Sequence, residues 1–130
     1  MSAVRPSVPR ALVVDDDAAI RMLIRLVLED SGCQVEEAEV GAATLRICSE
    51  SMPDFVFLDA VLPDADGFEV CRQLRDMPGG RGIPIVMVTG LEAIQARESA
   101  KRAEASACIA KPIDVAALQK VAVRLVKQHG

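Results

Sequence analysis

Asp15, Asp16 and Asp17 follow the apolar run Ala11-Leu12-Val13-Val14, and Asp59 closes the run Phe55-Val56-Phe57-Leu58. A third apolar stretch ends in Thr89 and a fourth in Lys111-Pro112. Acid, hydroxyl and amine groups at the ends of four strand-like runs make one polar site if the runs lie side by side in one sheet. Neighbouring strands are about 4.8 Å apart, so Asp15, Asp16 and Asp59 on adjacent strand ends would crowd together. Two unit charges at 4 Å repel by roughly 4 kcal/mol at an effective dielectric of 20. Three carboxylates at that edge therefore need held protons or a bound cation. A hard divalent ion fits, and Mg²⁺ fits best, because it accepts a few carboxylates together with waters and a phosphate. Lys111 would add a point charge for a phosphoryl oxygen and Thr89 a hydroxyl donor. A carboxylate flanked by Mg²⁺, Lys and Thr is equipped to attack a phosphoryl group and hold the resulting acyl phosphate.

Strand and helix patterns alternate five times to place these groups. Residues 10–14 read as a strand buried on both faces. Ile20, Leu23, Ile24, Val27 and Leu28 recur at helical spacing, and that helix stops near Ser31-Gly32. Gln34 to Ala38 reads as an edge strand flanked by polar residues, followed by a helix from Ala42 to Ser51. Phe55 to Leu58 is a second strongly apolar strand. A helix over Glu69 to Asp76 buries Val70, Cys71 and Leu74, and residues 77–82 form a loop. Ile83 to Val88 is the next strand, with Pro84 near its start. An Ala-rich helix spans Ala93 to Glu104, with Ala93, Ala96, Ala100 and Ala103 inward. Ala107 to Ala110 is a fifth strand, and Asp114 caps a last helix with Leu118, Val121, Ala122, Leu125 and Val126 inward. Five βα units predict a doubly wound α/β fold: a five-stranded parallel sheet with helices on both faces. Ligands of such sheets sit beyond the strands' carboxyl ends, where the winding reverses.

The 130 residues suffice for one domain with its own core, and 51% apolar with 26% charged residues is a globular balance. A net charge of −4 without a basic cluster argues against direct nucleic-acid binding. No apolar run is long enough to span a bilayer and the start lacks a secretion signal, so the expected location is cytoplasmic, with no membrane partner. Residues 1–9 read as a flexible lead-in and 10–130 as the domain. Cys33, Cys48, Cys71 and Cys108 are widely spaced, without a C-x-x-C pair, and read as four small buried hydrophobes.

Val13-Val14-Asp15-Asp16-Asp17, Leu58-Asp59 with Leu62-Pro63-Asp64-Ala65-Asp66-Gly67-Phe68, Met87-Val88-Thr89-Gly90 and Lys111-Pro112 resemble the receiver domain of two-component response regulators, the chemotaxis receivers included. The likeness runs from about Arg10 to the end. It implies the flavodoxin-like strand order 2-1-3-4-5. It also implies that Asp59 accepts a phosphoryl group from a phosphohistidine on a sensor histidine kinase or histidine phosphotransfer protein. Asp15 and Asp16 would hold Mg²⁺ together with Asp59 and the backbone carbonyl of Val61. Lys111 would bind one phosphoryl oxygen and Thr89 another on switching, and the Lys111-Pro112 bond would be cis. The listener would be an effector protein or an output domain no longer attached, and a homodimer would form through the fourth helix, fifth strand and fifth helix.

The chain departs from that pattern in places. Cys108 stands where many receivers carry an aromatic residue that rotates with the threonine. Glu104-Ala105 replaces a usual Gly-Ala pair. Val61 and Leu91, two residues beyond the aspartate and the threonine, are apolar and cannot orient an attacking water, so the expected phosphoaspartate is long-lived.

Plainer readings apply to some residues. Asp17 is expected to cap a helix. Asp64 and Asp66 are assigned to turn chemistry. Arg5, Arg10, Lys101 and Arg102 are expected to be solvated, Phe55, Phe57 and Phe68 to be core, and His129 to lie at a frayed end without a role. The chain is thus expected to be a signalling switch rather than an enzyme, beyond self-catalysed phosphotransfer and slow autodephosphorylation. The competing enzyme reading, an aspartate-nucleophile phosphohydrolase, normally needs a carboxylate where Val61 stands. A flavin or dinucleotide module is disfavoured because the first turn is acidic rather than glycine-rich. A local likeness around Met77-Pro78-Gly79-Gly80 and residues 83–91 to receivers preceding cyclic-di-GMP synthesis or breakdown domains leaves open an N-terminal receiver excised from such a protein.

Overall fold

The computed structural model describes residues 8–129, so seven residues of the lead-in lie outside the described part. Five parallel strands, β1 (Arg10–Val14), β2 (Gln34–Ala38), β3 (Phe55–Asp59), β4 (Ile85–Thr89) and β5 (Ala107–Ala110), lie in the order β2-β1-β3-β4-β5. The helices between and after them are α1 (Ala18–Asp30), α2 (Gly41–Glu50), α3 (Gly67–Asp76), α4 (Ala93–Arg102) and α5 (Val115–His129).

Side-chain alternation splits the core into two layers. Leu12, Val14, Val56, Leu58, Ile85 and Met87 face α2, α3 and α4, where they meet Cys48, Phe68, Val70, Cys71, Leu74, Ala100 and Ala103. Ala11, Val13, Phe55, Phe57, Val86 and Val88 face α1 and α5, meeting Ile24, Val27, Leu28, Leu118, Ala122 and Leu125. Helices on both faces are the reason β1, β3 and β4 are apolar at nearly every position. β2, whose residues are mostly exposed, is an edge as expected, and all three phenylalanines are core.

Element ends differ from the expectations for physical reasons. β4 begins at Ile85 rather than Ile83, because the Ile83 carbonyl is taken by the Arg75 guanidinium at 2.6 Å and Pro84 has no N–H for the ladder. α3 begins at Gly67 because the Asp66 side chain accepts from the Phe68 amide. α4 ends at Arg102, and Glu104 turns the chain with φ +60°, a left-handed conformation that glycine adopts without cost. Arg75, buried at 6% exposure, holds this turn by donating to the Glu104 and Gly80 carbonyls, a role invisible in the helical pattern.

Other readings are corrected. Cys33, Cys48 and Cys71 are buried, with thiols pushed up to about 11 mainly by that burial, but Cys108 is exposed because β5 is the other edge strand. Arg10 is not simply solvated: it donates to Ser51 and pairs with Glu36 at 3.1 Å. Pro9, assigned to the lead-in, is buried, and its carbonyl accepts from the Gln34 amide. His129 ends α5 in helical conformation, its ring 3.7 Å from the Asp54 carboxylate. No helix among the described residues is long and apolar enough to cross a membrane.

Candidate functional site

β1 and β3 are neighbours, yet β2 lies on one side of β1 and the rest of the chain on the other. The winding therefore reverses between them, and a crevice opens beyond their carboxyl ends. Asp15 follows β1, Asp59 ends β3, and carboxylate oxygens of Asp15, Asp16 and Asp59 lie within 4.8 Å of one another. Asp15 is fully buried and Asp59 nearly so, while Asp16 is exposed.

Asp15 and Asp59 each have one carboxylate oxygen tied to backbone and the other facing Lys111. Asp15 Oδ1 accepts from the Asp17 amide at 2.8 Å, and Asp59 Oδ1 accepts from the Val61 amide at 3.1 Å. Lys111 Nζ sits 3.0 Å from Asp15 Oδ2 and 3.3 Å from Asp59 Oδ2. The approach to Asp15 lies outside hydrogen-bond alignment, so Oδ2 is a buried carboxylate oxygen with a charge partner and no aligned donor among the described residues. Two buried carboxylates and an exposed third, with an oxygen left for a ligand, fit a hard cation such as Mg²⁺. Burial first, and then the charge of Asp15, pushes the Asp59 carboxyl above its ordinary value, against the Val61 amide and Lys111. Burial would lower Lys111, but the carboxylates of Asp15 and Asp59 together outweigh it and hold the ammonium above its usual range.

Thr89 ends β4, beside β3, and is buried. Its hydroxyl oxygen accepts from the Leu91 amide at 3.0 Å, and its carbonyl accepts from the Lys111 amide at 2.8 Å. The backbone thus joins Thr89 to Lys111, although the Thr89 hydroxyl makes no bond to Asp59 or Lys111 among the described residues. The Lys111–Pro112 bond is cis, as expected. The Val61 side chain is 70% exposed at the crevice rim, with Leu91 half-exposed nearby, and both line a groove with Phe68 and Ser99.

The remaining acids are structural. Asp17 caps α1 through the Ala19 and Ile20 amides, as expected. Asp66 caps α3, but Asp64 reaches across the fold to cap α2 through the Gly41 and Ala42 amides, which hold its carboxyl below the ordinary range. That cap replaces the assigned local turn and was hidden because donor and acceptor stand 23 residues apart. Two more residues act on the site, Gly67 from within the segment Leu62 to Phe68 singled out in the sequence and Arg21 without a motif to announce it. Gly67 lets α3 lie directly on the Asp59 carbonyl, and Arg21 donates to the Asp15 carbonyl at 2.7 Å. A basic residue on the polar face one turn into α1 was the only sequence signal for the latter.

The model of the response regulator receiver domain matches residues 11–123. The chain is 37% identical over 107 residues to the DNA-binding dual master transcriptional regulator RpaA of a Synechocystis species, covering 82% of this chain and 44% of that protein. It is 38% identical over 116 residues to the response regulator MprA of a Mycobacterium species, covering 89% of this chain and 48% of that one. It therefore spans about half the length of these curated relatives. The structure of the chemotaxis response regulator CheY4 of Vibrio cholerae superposes with a TM-score of 0.85 at 27% identity, covering 92% of this chain and 99% of that one. The order β2-β1-β3-β4-β5 is the flavodoxin-like arrangement of such receivers. With a family model matched over most of its length, the chain belongs to the response regulator receiver domains of two-component systems.

Proposed function

We propose that this receiver domain is a phosphorylation switch in which Asp59 takes a phosphoryl group from a phosphohistidine on a sensor histidine kinase or histidine phosphotransfer protein. The observation that carries the reading is the pairing of Lys111 with both Asp15 and Asp59 across a buried carboxylate pocket. A carboxylate oxygen of Asp59 attacks phosphorus as the P–N bond to the donor imidazole breaks, giving an acyl phosphate and a free imidazole. Asp15, Asp16, Asp59 and the Val61 carbonyl would hold Mg²⁺, which, when bound, neutralises charge on the phosphoryl oxygens. Lys111, already at the mouth of both buried acids, binds one phosphoryl oxygen. Thr89, whose hydroxyl oxygen accepts from Leu91, keeps its proton to donate to another.

Engagement of Thr89 would pull on the end of β4 and bias the face of α4, β5 and α5 between two states. With an exposed Cys108 on β5 in place of an aromatic residue, that bias works through smaller shifts. The listener is an effector protein or an attached output domain. The length of the relatives favours the attached domain.

Incubation with acetyl phosphate and Mg²⁺ should add the mass of one phosphoryl group to the wild type and none to Asp59→Ala. A wild type that gains no mass and no beryllofluoride-induced spectral change defeats the reading. The apolar Val61 and Leu91 cannot orient water, so the phosphoprotein should persist for minutes or longer after donor removal. Decay within seconds would show that another group positions the attacking water.

A further inference from the structure

We propose that Arg21 is a positioning residue for the metal pocket. It pins the Asp15–Asp16 peptide so that both carboxylates meet one ion, while Glu37 and Glu39 cancel its charge so that the donor does not repel a cation. The inference rests on the receiver reading above.

Asp15 is immobilised at three atoms. Its amide donates to the Ala38 carbonyl at 3.1 Å, its Oδ1 accepts from Asp17, and its carbonyl oxygen accepts from Arg21 Nη1 at 2.7 Å. The first bond fixes the amide, the second closes a turn across the Asp15–Asp16 peptide, and among the described residues Arg21 alone holds that peptide's carbonyl. Asp16 depends on that peptide, because it is exposed and has no hydrogen bond or ion pair among the described residues. If the peptide rotates, Asp16 leaves the pocket while Asp15 stays.

Arg21 is itself held. Its Nε donates to Glu37 at 3.1 Å and its Nη2 lies 3.3 Å from Glu39, so the planar fork is spread over three oxygens. The side chain is only 13% exposed, which reduces the freedom it loses in making these contacts. Arg25 also pairs with Glu37, at 2.6 Å, and with Glu29, at 3.3 Å. Two guanidinium charges thus face three carboxylates. An uncompensated cation behind Asp15 would oppose a divalent ion at the crevice. Arg25, and after it Arg21, holds Glu37 ionised by keeping its carboxyl below the ordinary range. Removing a group that orients metal ligands from behind typically costs about 10–100-fold in metal affinity.

Calorimetric Mg²⁺ titration of the wild type, Arg21→Met, Arg21→Lys and Glu37→Gln tests this, together with amide NMR spectra of the metal-free proteins. Arg21→Met should bind Mg²⁺ about tenfold more weakly and shift the Asp16 amide before any metal is added. Arg21→Lys should recover part of the affinity, since an ammonium can reach the carbonyl but cannot also fork to both glutamates. Glu37→Gln should bind more weakly at low salt, with the deficit shrinking as salt rises. Wild-type affinity in Arg21→Met overturns the inference. If that variant does not fold, wild-type affinity in both Arg21→Lys and Glu37→Gln overturns it. A wild type that fails to bind Mg²⁺ defeats the receiver reading, and this inference with it.

Discussion

Replacing Lys111 with Met destabilises the metal-free protein at pH 7 by about 2 kcal/mol, a loss that shrinks as the pH falls toward 4. Removing one partner of a buried ion pair typically costs about 3–5 kcal/mol, and the partial exposure of Lys111 reduces that figure. Without the ammonium, Asp15 and Asp59 face one another as buried anions. The folded Asp59 carboxyl already lies above its ordinary value. A raised acid contributes stability below its unfolded pKa and loses it as the pH rises through the folded one. Loss of Lys111 raises Asp59 further, so acidification should rescue the variant more than the wild type. The raised Lys111 contributes below its unfolded value and loses that contribution only as the pH climbs through a still higher one. Its effect in the wild type is therefore constant across neutral pH. Mg²⁺ should raise the variant's melting temperature more than the wild type's, since it supplies the missing positive charge. Acetyl phosphate should nevertheless label the variant more slowly, because the phosphoryl oxygen loses its partner. Thermal melts between pH 4 and 8, with and without Mg²⁺, check this. Equal destabilisation at both ends of that range would mean that Lys111 acts through packing rather than charge.

The groups proposed to do the chemistry are legible because their positions are local facts of the chain. Asp15, Asp59, Thr89 and Lys111 each terminate an apolar run, and a doubly wound sheet gathers such termini along one edge. The strand pattern was legible for the same reason: residues buried on both faces leave continuous apolar segments. What could not be read depends on contacts between distant segments. Asp64 caps a helix whose start precedes it by more than twenty residues, and Arg75 delays the start of β4 by taking the Ile83 carbonyl. The exposure of Cys108 is not legible, because four apolar-looking residues do not reveal whether their strand is central or at an edge. Arg21 illustrates the limit most clearly. In the sequence it is one of several basic residues on an amphipathic helix. Its role arises only because β2 brings Glu37 and Glu39 beside the carbonyl of Asp15.

The same limit gives Gly67→Ala a large expected structural effect at the site itself. Gly67 follows the Asp66 cap, and its amide donates to the Ala60 carbonyl at 2.8 Å. The first turn of α3 therefore rests directly on the end of β3. A Cβ at this position would lie 1.9 Å from the Asp59 carbonyl oxygen and 2.8 Å from the Ala60 Cα. Both are backbone atoms, so no rotamer change relieves the clash, and either α3 or the Asp59–Ala60 peptide must move. Overpacking of this kind costs about 3 kcal/mol or more. Whichever element moves, the Val61 amide and Asp59 Oδ1, now 3.1 Å apart, lose their alignment. Mg²⁺ affinity and labelling by acetyl phosphate should then fall even in the fraction that stays folded. Gly82→Ala is the matched control, since a Cβ at Gly82 meets nothing within 4 Å. Its melting temperature and labelling rate should match the wild type. If Gly67→Ala melts and labels like Gly82→Ala, then α3 is not seated on the Asp59 peptide, and the close approach that orients the proposed phosphoacceptor is wrong.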